Sequence, residues 1–585
     1  MISSLFNRPA WVRLLLLVAI CLVFGRILLN DFVDWDDFMI FGDFGTAHPA
    51  VSLVLKHWIP SDQSNFNLYC PMIFTVWWLL AHLAYVSAPD ILNSSLNPQV
   101  YHAANLLVHW LSALVTLEIL RKLRLPTWAA AIGALIFAIH PLQTEPVAWA
   151  TGMKDLLSGL LALLAIWQFM ECCTSTGRKF ALHYAGATAI YILALLSKPS
   201  TVSVPLIAVA IGILFYHLSW KRIILWTLPW FVLALAMVGI TRNVQQTSVV
   251  LPLPIAIRPL IAADSLSFYL YKLVLPINLS FDYGRTPQAV MSDPTLHHPL
   301  MWTWIFPVAV ALLVWRSKSA MLKLAALIFL FGLLPVLGLL PFFYQYYSTV
   351  ADRYVYLSML GVAIAGSWLV EMMAQHKHHR AMVVGSTIIL VALGCLSFVQ
   401  AGVWHDSESL YTHALSLNHT NWVHYDILGN YYDRLATADR DRALDDLKFG
   451  DPKTAHLDYQ QSEDHLRQAI AAFRMGMAYD PNHPVLYDVQ EKDYVILNQP
   501  DDGIALLRKL IEIQPQLRPD ERRDPAIMHG QIALIDYRAK RLDAAAEELR
   551  QNPDAITYLR KTQPHDADPD FTTWLNNLSA TTQPK

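Results

Sequence analysis

The chain has 585 residues, 55% of them hydrophobic and only 15% charged, where a soluble globular protein carries about a quarter charged. The formal net charge is −3 and no basic tract is present, which speaks against a nucleic-acid partner. Five cysteines without framework spacing speak against a disulfide scaffold, and the adjacent Cys172 and Cys173 suit neither a zinc site nor an ordinary disulfide.

The deficit of charge is uneven. Residues 11–402 are dominated by apolar stretches of about 16 to 22 residues, the length at which a helix crosses a bilayer. Residues 403–585 are polar and helical in pattern. This predicts an all-α protein with a membrane domain over 1–402 and an outer domain over 403–560. A Pro-, Thr- and Asp-rich tail, 561–585, is expected to be poorly ordered.

The first apolar run, "WVRLLLLVAICLVFGRILL" (11–29), lacks a small-residue cleavage site and is expected to be retained. Directly after it comes "NDFVDWDDFMIF" (30–41), with the neighbouring carboxylates Asp36 and Asp37. Two adjacent carboxylates repel, so one pKa rises unless a cation lies close. A carboxylate at that boundary can act as general base towards a hydroxyl while its neighbour orients it. The bland alternative is a solvated acidic turn.

Further crossings are expected over roughly 100–120, 128–145, 153–170, 180–197, 201–217, 223–241, 300–315, 321–341, 353–373 and 381–402. Lys and Arg favour cytoplasmic loops. Placing "RKLR" (121–124), "GRK" (177–179), "WKR" (220–222), "WRSK" (315–318) and "HKHHR" (376–380) inside gives eleven crossings, with the C-terminal domain outside. The apolar runs 70–86 and 259–276 then read as interfacial or re-entrant helices on the outer side. Thirteen crossings, with both spanning, leave the tail on the same side.

This topology gathers the polar motifs outside. "HPLQTEPVAWATGMKD" (140–155) carries His140, Glu145, Lys154 and Asp155, and its prolines bend or end helices. "SKPST" (197–201) carries Lys198, "LPINLSFDYGR" (275–285) carries Asp282, Tyr283 and Arg285, and "YYSTVADRY" (346–354) carries Asp352 and Arg353. Lysines and arginines at a lipid boundary can pair with phosphate, Arg through its bidentate fork, or merely reach for water or a local carboxylate. Asp282, Tyr283 and Arg285 could line a substrate entrance or form an ordinary loop. Tyr346, Tyr347, Tyr354 and Tyr356 read as an interfacial aromatic belt without chemistry. No His/Cys spacing marks a metal site, and a divalent cation is left open.

In the outer domain "AIAAF" (469–473) recurs as "GIALL" (503–507), 34 residues on, and "DP" (480–481) recurs as "QP" (514–515). That is the period of tetratricopeptide repeats. One unit starts near Trp422 and is interrupted by a polar insertion of about 28 residues, "TADRDRALDDLKFGDPKTAHLDYQQSED". A second starts at Pro484, with Tyr487 and Tyr494 in its aromatic slots, and a third spans about Ile527 to Pro553. Such helix pairs stack into a solenoid that binds peptide, or here form a structural lid.

The ordered set "FVDWDD" (32–37), "YHAANLLVHWLSALV" (101–115), "HPLQTEPVAWATGMKDLLSGLL" (140–161), "LLSKPSTVSVPL" (195–206), "LYKLVLPINLSFDY" (270–283) and "ADRYVYL" (351–357) resembles the transmembrane and tetratricopeptide repeat-containing O-mannosyltransferase family and its bacterial relatives. The resemblance implies a glycosyltransferase C-type fold and a polyprenyl-phosphate sugar donor used on the non-cytoplasmic face. It implies Asp36 as base with Asp37 assisting. It implies donor phosphate and sugar binding by His140, Glu145, Lys154, Asp155, Lys198, Asp352 and Arg353. One departure stands out: relatives commonly carry Arg-Pro where this chain has Cys70-Pro71.

The expectation is a multi-pass glycosyltransferase, for which we expect a bacterial inner membrane, with membrane lipid around it and an acceptor protein or peptide at its repeats. A transporter or flippase for a lipid-linked sugar would spread charge through its helices and over both faces. A non-enzymatic scaffold needs one anchor helix and no outer acids.

Overall fold

The computed structural model describes residues 9–46, 48–61, 69–87, 94–245, 253–292, 303–375, 379–487, 494, 496–517, 522–562 and 569–582. Among them the fold is all-α, with no strand beyond an isolated antiparallel bridge between Tyr85 and Leu96. The chain divides into two units, the first reaching Leu417 and the second starting at Asn418.

That boundary corrects the expected one after residue 402. The helix Ser407–Leu417 packs on loops of the first unit: Ser407 Oγ accepts from Asp34 N at 2.9 Å, and the Tyr411 hydroxyl donates to Asp34 O at 2.9 Å. His413 Nε2 lies 2.9 Å from Leu279 O. A polar stretch was therefore mistaken for the start of a new domain, because its polar atoms serve neighbouring loops rather than water.

Among the described residues, six helices are long and apolar enough to cross a membrane: Ala10–Leu29, Pro98–Lys122, Ala150–Thr174, Gly177–Ser197, Trp220–Val244 and Met382–Val403. The pair Thr127–Ile139 and Pro141–Ala148, bent by 52°, makes a seventh if read as one span. The bend falls at Pro141, which lacks the N–H that would continue the ladder. Of five shorter apolar helices, Pro199–Leu214, Ile305–Arg316, Ala320–Val336 and Met359–Ala374 stand where crossings are expected, and Pro71–Ala84 covers the run 70–86. The helix Arg258–Val274 buries Asp264, Ser265, Tyr269 and Lys272, so its polar side turns inward. Of the basic cluster 376–380, residues 376–378 lie outside the described residues.

The bundle closes through small residues. A Cβ on Gly133 would sit 2.4 Å from Ala363 O; one on Gly361 would sit 2.4 Å from Ala325 O and 2.8 Å from Phe329 N. Lipid supplies no hydrophobic drive between helices, so such close backbone approach is what holds them. At one end of the bundle Arg13 and Arg121 both pair with Glu118, at 2.8 and 2.7 Å, and Lys122 pairs with Glu171 at 2.6 Å. Lys154 lies in the first turn of the same helix that carries Glu171, Met153–Thr174. At 1.5 Å per residue the two positions are roughly 25 Å apart, close to a hydrocarbon thickness.

In the second unit the 28-residue helices Trp422–Phe449 and Pro452–Tyr479 form an antiparallel hairpin. The expected polar insertion is thus no interruption; it lengthens both helices. Its turn has Gly450 at φ +85°, a left-handed position natural to glycine, and Asp451 accepting from Thr454 N at 3.2 Å. Gly429 lies against Phe473, where a Cβ would come within 2.7 Å of the ring. The first helix expected for the unit at Pro484 falls mostly on residues 488–493 and 495, outside the described residues. Pro525–Arg538 and Leu542–Gln551 form another hairpin. Within the expected tail, Pro569–Thr582 is a helix whose Phe571, Leu575 and Leu578 pack on Leu549, Ile556 and Leu559. The apolar spacing 571, 575 and 578 outweighs the surrounding Pro and Thr.

Gly361→Ala forces two backbones apart, and overpacking of this kind costs about 1–3 kcal/mol. The melting temperature in detergent is expected to fall by several degrees. Gly385→Ala, where an added Cβ meets nothing within 4 Å, leaves it unchanged or raises it.

Candidate functional site

The loop after the first helix is held in place before any of its acids acts. Asp31 N donates to His405 O at 2.8 Å and Asn30 Nδ2 donates to Trp404 O at 2.8 Å. Asp37 is buried, and each of its oxygens accepts a backbone amide: Oδ2 from Val33 N at 3.0 Å, Oδ1 from Thr151 N at 3.1 Å. Asp37 therefore ties the acidic loop to the turn before Met153–Thr174. Burial pushes its carboxyl up to about 7, against the pull of the two amides, with the neighbouring Asp36 adding to the rise.

Asp36 faces the other way. Its Oδ2 accepts from Lys154 Nζ at 2.8 Å, and its side chain keeps 27% exposure, so a further donor can reach the carboxylate. Lys154 also stands 4.3 Å from the centre of the Trp149 ring. The Arg353 guanidinium lies 5.5 Å from that same ring and 4.2 Å from the Tyr344 ring. Glu145 receives both the Arg353 guanidinium and the Arg353 backbone N–H, the latter at 2.8 Å. Lys198 pairs with Asp155 and lies 5.5 Å from the Tyr354 ring, against which Arg353 also packs at 5.1 Å. Three acid–cation pairs from four separate loops thus share two aromatic rings.

Asp352 borders this cluster, accepting from the Tyr283 hydroxyl at 2.8 Å. Burial first, and the Glu145 charge second, hold its carboxyl well above the usual carboxylate range. His140 does not face the cluster with an open nitrogen: Nδ1 accepts from Leu142 N at 3.2 Å and Nε2 lies 3.2 Å from Leu273 O. It fixes the bend at Pro141. Asp282 accepts from Gly284 N at 2.8 Å, and Arg285 turns to Asp264 at 2.6 Å. Of these three loop residues, Tyr283 reaches the cluster through Asp352. Among the described residues no group of three or more His, Cys, Asp or Glu is placed to hold a metal ion.

A pocket of about 350 Å³, counted to its open mouth, adjoins the cluster. Its wall is made by Asp155, Ser158 and Gly159, by Ser200 and Thr201, and by Gly332, Val336, Arg353, Tyr354, Tyr356 and Leu357. Tyr354 and Tyr356, expected only as belt residues, line it, and the Tyr356 hydroxyl lies 3.0 Å from His109 Nδ1. Sequence reasoning also missed Trp149, Thr151, Tyr344 and the 404–411 segment. Trp149 lies inside a quoted motif, yet no pattern tells a ring beneath two cations from a packing ring.

The fold and these pairs define a multi-pass helical membrane protein with a desolvated acid–base cluster at one end of its bundle. No family model matches the chain. The chain is similar to the protein O-mannosyl-transferase F38B6.6 of Caenorhabditis elegans, at 24% identity over 386 residues, 63% of this chain and 51% of that protein. Protein O-mannosyl-transferase TMTC4 of Mus musculus is 22% identical over 402 residues, 59% of this chain and 54% of the relative. TMTC1 of Mus musculus is 30% identical over 190 residues, 30% of this chain and 19% of the relative. All three carry the family name that the ordered motifs resemble. The chain spans about half the length, or less, of the curated relatives it matches.

Asp37 gives a pH signature. Its carboxyl in the fold titrates at about 7 rather than near 3.8, so between these values the folded state holds a proton the unfolded state has lost. That contribution to stability is complete below about pH 4 and is lost as pH rises through about 7. The wild-type melting temperature is expected to fall from pH 5 to pH 8, and Asp37→Asn to flatten this component. An unchanged slope in the variant would refute the assignment.

Proposed function

We propose that the chain is an integral-membrane glycosyltransferase of glycosyltransferase C type. It moves a sugar from a polyprenyl-phosphate donor to an acceptor hydroxyl, a protein serine or threonine, on the non-cytoplasmic face. The observation that carries this reading is the partly exposed Asp36, bonded to Lys154 at 2.8 Å, at the edge of a cluster that also concentrates Lys198 and Arg353. The relatives' names support mannose as the first sugar, and protein as the first acceptor, to test.

In this mechanism Asp36 takes the proton of the acceptor hydroxyl, whose oxygen attacks the anomeric carbon. The bond from that carbon to the phosphate oxygen breaks, and its electron pair leaves with the polyprenyl phosphate. Lys154 stands beside Asp36 and, with Lys198 and Arg353, offsets the charge on the departing phosphate. Asp37 holds the base-bearing loop on the 150–153 turn. Glu145, Asp155 and Asp352 keep the buried cations and the Tyr283 hydroxyl in place, and His140 positions the bend beneath them. Asp282 and Arg285, with Tyr283, shape the approach. The helical second unit binds the acceptor polypeptide in its stacked hairpins. The membrane is the bacterial inner membrane, with that unit on the periplasmic side.

Asp36→Asn keeps the side-chain shape and removes the base. General-base catalysis is worth about 10²–10⁴ in rate. With labelled polyprenyl-phosphate mannose, release of polyprenyl phosphate is expected to drop at least about 100-fold, while the melting temperature holds. Wild-type turnover in the folded variant would sink the assignment.

A further inference from the structure

We propose that Arg26 holds the phosphate of a bilayer phospholipid, in a lipid-facing seam between the helices Ala10–Leu29 and Met382–Val403. None of the residues of the acid–cation cluster takes part, and the proposal does not depend on the transferase reading.

The helix Ala10–Leu29 carries two arginines. Arg13, at one end, pairs with Glu118 at 2.8 Å. Arg26 stands at the other end, one turn before Asn30, whose side chain donates to Trp404 O. Among the described residues Arg26 has no acid partner, and its hydrogen bond runs from Nη1 to Phe398 O at 3.2 Å. A guanidinium has several N–H donors and no acceptor, so most of its donors stay open. A charge on a membrane helix is costly unless something matches it.

The seam faces acyl chains. One turn to either side of Arg26 on its own helix, Leu22 is 72% and Leu29 73% exposed. Across the seam Val399 is 67% exposed. A long cationic side chain near a helix end ordinarily extends to reach water. Arg26 is seated instead. Its guanidinium stands 4.9 Å from the centre of the Phe398 ring and covers Gly402. A Cβ on Gly402 would come within 2.6 Å of Nη1 and 2.7 Å of Cζ and Nη2, so the bare glycine makes the room for it.

Leu29 ends the span three residues after Arg26, which puts the arginine roughly 5 Å inside that end. That is the depth of lipid headgroups, not of the hydrocarbon centre. A headgroup phosphate supplies what the protein omits there: acceptor oxygens and negative charge, which the guanidinium fork matches two at a time. The proposed donor has Lys154, Lys198 and Arg353 for its phosphate. Arg26, bordered by Leu22, Leu29 and Val399, faces the surface that bilayer lipids cover.

The test uses the full chain in dodecyl maltoside, a detergent without phosphate, and phosphatidylglycerol carrying a diazirine in its headgroup. Irradiation of wild type is expected to label residues 22–30 or 395–403, located by peptide mass spectrometry. Arg26→Gln should cut that labelling about tenfold or more, the worth of a hydrogen bond to a charged group. Unchanged labelling of these segments in the folded variant would overturn the proposal. Should Arg26→Gln fail to fold, Gly402→Ala carries the same test, because it keeps the charge and forces the guanidinium off its seat; unchanged labelling there would overturn the proposal equally.

Competition identifies the ligand. Unlabelled phosphatidylglycerol is expected to displace the probe, and diacylglycerol with the same acyl chains to leave it in place. Equal displacement by diacylglycerol would show that chains alone are held, against the proposal. Displacement by polyprenyl phosphate at lower concentrations than by phosphatidylglycerol would give the seam to the donor's class of lipid and overturn the assignment to a bilayer phospholipid.

Discussion

A charge buried without a partner at a lipid boundary costs several kcal/mol, and that cost organises the functional end of this protein. Glu145, Asp155 and Arg353 are almost wholly buried, and Lys154 and Lys198 nearly so. Each finds its opposite on a different loop: Glu145 on Arg353, Asp155 on Lys198, Asp36 on Lys154. Within the two deepest pairs, Glu145–Arg353 and Asp155–Lys198, removing one member strands the other, so their loops stand or fall together. A site held this way is set before any ligand arrives, as the proposed transfer with its departing anion would require.

The adjacent acids divide the work. Asp37 is turned inward to two backbone amides, while Asp36 faces a lysine and the open side. One carboxylate makes the loop rigid so that its neighbour can be placed. The backbone around them is supported in turn by Trp404, His405 and Ser407, more than 360 positions away in sequence. The last helix of the first unit is therefore part of the scaffold of the first loop.

Beside the cluster, Gly159 and Gly332 line the pocket and let neighbouring side chains press against bare helix backbone. A Cβ on Gly159 would lie 2.4 Å from the Tyr356 ring, and one on Gly332 would lie 2.3 Å from Ser358 Oγ. The second unit obeys a different rule. Its helices are amphipathic, and they bury Leu507, Ile532, Ile535, Leu549 and Phe571 by the ordinary hydrophobic effect in water.

Much was legible in the linear chain. Apolar runs near 20 residues can hardly be anything but membrane helices, and the 34-residue spacing pointed to helical hairpins. Composition misjudged 569–582, because three apolar residues on one face outweigh polar neighbours only once there is a surface to bury them. The motif loops of the site could be named, since chemistry-bearing residues crowded one set of turns. Which acid pairs with which cation could not be read, nor could the roles of Trp149 and Tyr354. Periodicity is a local property and survives in the sequence by itself. Pairing across 43 to 208 positions depends on how helices cross, and that only the tertiary structure decided.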